Sequence, residues 1–125
     1  MNLNQITIPS KDLTKSIPFY QNLGLNLIVH SNDDYARFEC PSGDSTFSIH
    51  RVEELPKGEG IYVYFECENL DEHVSKLENS DVIFEEFPND KRWLWREARL
   101  MDPDNNQIIL YKAGENRKNP PRRLK

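Results

Sequence analysis

Cysteine is scarce in this 125-residue sequence: Cys40 and Cys67 stand far apart, with neither CxxC nor Cys/His spacing around them. That excludes a disulfide framework and a cysteine zinc site, and two reduced thiols are expected. Glycine is also short, at 5 residues with no glycine-rich phosphate loop among them, so nucleotide-dependent chemistry is not indicated. No apolar run approaches the roughly 18 residues of a membrane span, and the opening MNLNQITIPS lacks the regions of a signal peptide. A cytoplasmic protein with no membrane partner is expected. Apolar residues are few, at 37%, below the roughly 45–50% usual in soluble domains, while 30% are charged. A single domain with a modest core and a charge-rich surface follows; a chain of this size buries about two thirds of its surface without disulfides or a structural metal.

Charge is unevenly distributed. The net charge is -5, yet residues 112–125 hold Lys112, Arg117, Lys118, Arg122, Arg123 and Lys125 against the single acid Glu115. This basic end lacks interleaved aromatics and follows an acidic body that repels phosphate, so nucleic acid is not expected as a partner. Pro120 and Pro121 exclude a helix or an inner strand there, and an extended run over the surface is expected for 113–125.

Periodicity divides the rest into two similar halves. The first reads as a strand from Leu3 to Ile8, a helix, and three strands over 26–30, 35–39 and 46–51 with turns SNDD and PSGD between them. The helix starts after Ser10 or Asp12, repeats apolar residues at Leu13, Ile17, Tyr20 and Leu23, and ends at Gly24; Pro18 inside it predicts a kink. The second half gives strand 61–67, a helix over 70–77 after Asn69, and strands 82–87, 93–101 and 107–111 parted by PNDK and DPDNN. Each half is β-α-β-β-β, and an offset of 57 lays Leu13 on Leu70 and Gln5 on Tyr62, which points to an internal duplication.

Alternation along strands then sorts the faces. The more apolar set, expected against the helices, is Ile6, Ile8, Ala36, Phe38, Phe47, Ile49, Val63, Phe65, Cys67, Leu94, Ala98, Leu100, Ile108 and Leu110. The opposite set is Gln5, Thr7, Tyr35, Arg37, Ser48, His50, Tyr62, Tyr64, Glu66, Trp93, Trp95, Glu97, Arg99, Gln107, Ile109 and Tyr111. Polar and aromatic together, it suits either a solvated sheet face or a ligand surface.

Three strings in order, ITIPSKDLTKSIPFYQNLGL, YFECENLDEH and REARLMDPDNNQIILY, resemble the vicinal oxygen chelate superfamily of glyoxalase I, bleomycin-resistance proteins and extradiol dioxygenases. The resemblance spans residues 3–112. It implies an α+β fold of two βαβββ modules, one over 1–55 and the other over 58–112, whose eight strands form an open cup with helices outside. It also implies a small-molecule ligand, a homodimer and, in metal-dependent members, ligands at the positions held here by Gln5, Tyr62, Ser48 or His50, and Ile109.

The chain departs from that ligand pattern. A divalent ion needs three or more converging oxygen or imidazole donors; Ile109 offers none, Tyr62 is a poor one, and His50 counts only if the fourth-strand register places it inward. A metal-free protein without a cofactor is therefore expected, binding an aromatic or anionic molecule through Gln5, Arg37, Ser48, His50, Tyr62, Tyr64, Trp95, Glu97, Arg99, Ile109 and Tyr111. Arg37 or Arg99, unpaired, would hold a carboxylate or phosphate with two prongs, unless Arg99 is spent on Glu97. The alternative is a lyase, isomerase or dioxygenase-like enzyme in which an atypical metal set, or His50, Glu97 and Arg99, moves a proton. A third possibility is a protein-interaction module.

Overall fold

The computed structural model describes residues 1–124. The chain order is β1 (Gln5–Ser10), α1 (Leu13–Leu23), β2 (Asn26–Ser31), β3 (Tyr35–Glu39), β4 (Thr46–Arg51), β5 (Tyr62–Glu66), α2 (Leu70–Asn79), β6 (Glu86–Asp90), β7 (Arg96–Met101) and β8 (Gln107–Lys112). The α+β class and the two βαβββ modules are as expected. The starts of β1 and β5, and those of α1 and α2, are each 57 residues apart.

The chain divides into two compact units. One comprises Met1–Ile61 together with Asp102–Asn105, the other Tyr62–Met101 and the chain from Asn106 on. Each contains a four-stranded sheet of the same plan, β1-β4-β3-β2 and β5-β8-β7-β6, with one parallel pair and two antiparallel pairs.

In the first unit, Asp12 opens α1 by accepting the Thr14 backbone N–H at 3.0 Å, and Gly24 closes it in a left-handed conformation (φ 113°) with its N–H on the Gln21 carbonyl. Pro18 sits inside the helix, which continues through it. The helix lies on β2, β3 and β4 and buries Leu13, Ile17, Tyr20 and Leu23. The Tyr20 ring packs 4.7 Å from Phe47 and 5.9 Å from Phe38, and these three, with Ala36 and Ile49, have no solvent contact or nearly none. Each large side chain buried in this way contributes about 1.5–3 kcal/mol. Ile6 departs from expectation: at the start of the edge strand β1 it stays 40% exposed, whereas Ile8 and Ser10 further along are buried, Ser10 bonding the Ser16 hydroxyl of α1; Leu3, before the strand, is exposed.

Tyr20 also makes a polar bond inside this core. Its Oη donates to Asp102 Oδ2 at 2.5 Å, while the Ser16 hydroxyl and the Lys11 N–H both donate to Asp104. Asp102–Asn105 of the DPDNN turn thus belong to the first unit, with Asp102 Oδ1 accepting the Asp104 N–H and Asn105 in the left-handed region.

In the second unit, α2 carries Asp71 and Glu72 in its first turn and Lys76 in its last, signs that suit the helix dipole, and packs on β6 and β8. Leu70, Val74 and Leu77 are buried, as are Val63, Ala98, Leu100, Ile108 and Leu110 of the sheet. Phe65 and Cys67 are only half-buried. Three expectations need correction here. The sixth strand is Glu86–Asp90, not 82–87, and contains the PND that reads as a turn: β6 is an edge strand with an extra residue between Glu86 and Asn89, where a proline costs no ladder bond. The turn falls later, at Lys91–Trp95, where Leu94 adopts φ 70° and is exposed instead of facing the helix, so β7 starts at Arg96. The basic tail is not extended throughout: Gly114–Asn116 form a 3-10 turn, Asn119 N–H bonds the Glu115 carbonyl, and Ala113 is buried.

Candidate functional site

The open face of the first sheet, away from α1, gathers its polar residues at β4. Register places Ser48 between Thr7 of β1 and Arg37 of β3, and His50 between Pro9 and Tyr35. Thr46, Ser48 and His50 therefore share a face, and His50 points to the open side, exposed.

Ser48 is fully buried and is the hub of a chain of hydrogen bonds. Gln5 Nε2 donates to its Oγ at 2.9 Å, and the Gln5 side-chain Oε1 accepts from Thr46 Oγ1. Ser48 Oγ meets Tyr35 Oη at 2.7 Å, and Arg37 Nε donates to that same phenolic oxygen at 2.9 Å. Desolvation would raise the Tyr35 pKa, but the bonds from Ser48 and Arg37, with the Arg37 charge, outweigh it and hold the phenol below its ordinary value. Arg37 is exposed and has no carboxylate partner among the described residues.

The open face of the second sheet is built around Glu97, a carboxyl group without solvent contact. Trp93 Nε1 donates to its Oε2 at 2.7 Å and Arg99 Nη2 to its Oε1 at 3.2 Å. Arg99 also lies 3.8 Å from Glu86, which Lys91 and Asn89 engage as well; the hydrogen bond from Lys91 is the main reason the Glu86 carboxyl stays below the usual range. Arg99 is thus spent on acids where Arg37 is not.

Beside this group stand the aromatics. Tyr62 and Tyr64 are 44% and 43% exposed. Tyr111 is instead buried, stacked 4.8 Å from Trp95 at an interplanar angle of 22°, with Tyr64 edge-on to both. Ile109, Tyr111 and Ala113 form one apolar cluster with Trp95, whose indole N–H donates to the Asn116 carbonyl of the tail. Burial raises the Tyr64 and Tyr111 phenols above their ordinary value.

The structure therefore joins Gln5, Ser48 and Arg37 on one sheet, and Glu97 and Arg99 on the other, and packs Ile109 and Tyr111 away from solvent. Two contributors were placed on the open face by alternation but not counted among the ligand-binding residues. Tyr35 links Arg37 to Ser48, two residues from Arg37 and cross-strand from His50. Trp93 holds Glu97 from the turn before β7, outside the ladder.

The family-type ligand positions do not fit a metal. Ile109 is an aliphatic side chain in an apolar cluster, the Gln5 amide is engaged by Thr46 and Ser48, and no group of three or more His, Cys, Asp or Glu able to hold an ion occurs among the described residues. No helix among them is long and apolar enough to cross a membrane.

Comparison with known proteins agrees with this architecture. The chain is 30% identical to the uncharacterized protein YraH of Bacillus subtilis over 90% of its own length and 98% of that protein's. Among solved structures, a glyoxalase/bleomycin resistance protein/dioxygenase from Nocardioides superposes with a TM-score of 0.78 at 20% identity, covering 100% of this chain and 90% of that one. A bleomycin resistance determinant encoded on transposon Tn5 gives 0.75 at 17% identity, covering 90% and 98%. A lactoylglutathione lyase from Agrobacterium tumefaciens gives 0.74 at 15%, covering 89% and 92%. At these identities the structures establish the shared fold. Residues 2–110 match the sequence pattern of one family, and the chain belongs to the Glyoxalase/Bleomycin resistance protein/Dioxygenase superfamily.

Proposed function

We propose that this protein binds a small, flat, anionic molecule, and that Arg37 and Tyr35 on the open face of the first sheet take its charged group without help from a metal. The observation that carries this reading is the contrast between the two arginines. Arg99 is neutralised by Glu97 and Glu86, whereas Arg37 meets no acid and is held by its Nε on Tyr35. A guanidinium so placed keeps free N–H groups for a two-pronged contact with a carboxylate or phosphate, and the phenolic O–H supplies a third donor. Gln5 and Ser48 fix the Tyr35 oxygen from behind.

The test is thermal unfolding with benzoate and phenyl phosphate, since a ligand of the native state alone raises stability by mass action, about 2.7 kcal/mol at a hundred times its Kd. A saturable rise reduced in Arg37→Gln and in Tyr35→Phe supports the reading. A rise unchanged in Arg37→Gln assigns binding elsewhere, and no rise with either probe rejects it.

The lowered Tyr35 phenol also favours a second reading, an isomerase- or lyase-type proton transfer in which this group exchanges a proton with the ligand. Tyr35→Phe would then abolish exchange at the ligand's acidic C–H while leaving binding within about threefold, since Arg37 retains the main anchoring charge.

A further inference from the structure

The second unit contains a cleft of about 440 Å³ lined by Arg92, Trp93 and Arg122. Arg92 and Trp93 come from the turn between β6 and β7, and Arg122 from the basic tail. The volume is in the range of small-molecule sites, roughly 300–1,000 Å³. We infer that this cleft is a second anion site, in which the two guanidinium groups take an oxyanion and the Trp93 ring stacks on a flat group attached to it.

Charge makes the first case. Among the described residues Arg51 is the exposed arginine with ion pairs, while Arg37, Arg92, Arg117, Arg122 and Arg123 have none, and of these Arg92 and Arg122 line one cleft. Neither Arg92 nor Arg122 has an acidic partner among the described residues, although Arg51, Arg96 and Arg99 each have at least two. Two unneutralised guanidinium groups at one cleft repel each other unless an anion lies between them, and their planar forks suit phosphate or carboxylate oxygens.

Preorganisation makes the second. The Trp93 indole is restrained by its N–H on Glu97, 2.7 Å away, so the wall exists before a ligand arrives. The tail is folded where Arg122 leaves it: Arg123 N–H bonds the Pro120 carbonyl, and the Arg123 side chain bonds the Lys118 carbonyl and the Asn119 side chain. Pro120 and Pro121 stiffen the same segment. Residues already held in place lose less entropy on binding. The basic tail thereby acquires a role: it supplies one of the two charges.

The probe is phenyl phosphate, with inorganic phosphate and a short single-stranded oligonucleotide as comparisons, followed by tryptophan fluorescence and by calorimetry. Phenyl phosphate is expected to bind saturably and to lose about tenfold in affinity in Arg92→Gln and in Arg122→Gln, and more in the double variant, with Arg37→Gln present throughout to silence the first sheet. Both arginines are exposed, so these variants should unfold at the parent temperature. Affinity unchanged in the double variant overturns the inference. Inorganic phosphate binding as tightly as phenyl phosphate overturns the stacking role of Trp93, and tighter binding of the oligonucleotide overturns a small-molecule occupant in favour of a nucleic acid.

Discussion

Glu97 has no solvent-accessible surface, and two donors, one indole and one guanidinium, bond its oxygens. Removing the acceptor leaves Arg99 facing less charge and Trp93 without its bond. Glu97→Gln is expected to lower stability by about 2–4 kcal/mol, as for a broken buried pair, measurable as a fall in urea midpoint at unchanged slope. Tyr20→Phe should cost about 1–3 kcal/mol, because Asp102, 4% exposed, loses the hydroxyl that donates to it. Alkali acts on a different set. Burial, then the charge of Glu66, pushes the Cys67 thiol up to about 11 from 9.0, and burial also raises Tyr20. A raised acid favours the folded state fully below its unfolded pKa, and that contribution fades as pH rises from 9.0 through about 11. The urea midpoint should therefore fall between pH 8.5 and 11, and Cys67→Ala should make the fall shallower; an unchanged slope would show that the thiol is not buried in solution.

At the scale of elements, α1 tolerates a proline that its interior does not need. Pro18 has no N–H for the Thr14 carbonyl, so Pro18→Ala is expected to gain about 1–2 kcal/mol, net of the looser unfolded chain, read as a higher Tm. Gly24→Ala should do the reverse by about 1 kcal/mol, since φ 113° excludes a β-carbon without strain. Both helices, five of the eight strands nearly to the residue, and the core of Phe38, Phe47, Leu100 and Ile108 were legible in the sequence, because burial and period coincide there; β1 was expected over Leu3–Ile8 and runs two residues later, over Gln5–Ser10. β6 and the start of β7 were not. Val82–Phe84 are a continuous apolar run, yet no ladder is offered to them, and the ladder forms instead across Pro88 because a bulge on an edge strand accepts it. Trp93 looked like strand and is turn, since the left-handed Leu94 carries no composition signal. The polar faces were legible as lists; which arginine is neutralised was not, for it depends on side-chain reach rather than on period.

For the whole molecule, pairing with a second copy is proposed from the family resemblance and from the edge strands β2 and β6, which expose Ile28 and Phe87. Light scattering at micromolar concentration should give twice the 14.7 kDa of one chain, and a value at 14.7 kDa rejects the dimer. The DPDNN turn has a consequence for the order of events during synthesis. The first compact unit takes in Asp102–Asn105, so its helix finds partners for Lys11, Ser16 and Tyr20 only 82 to 93 positions further along the chain. A ribosome that has released residues 1–61 has made a sheet and a helix but not the carboxylate that the buried tyrosine requires. The amino-terminal half must therefore wait, loosely packed, until nearly five sixths of the chain has emerged, and its final closure is coupled to the completion of the carboxy-terminal hairpin.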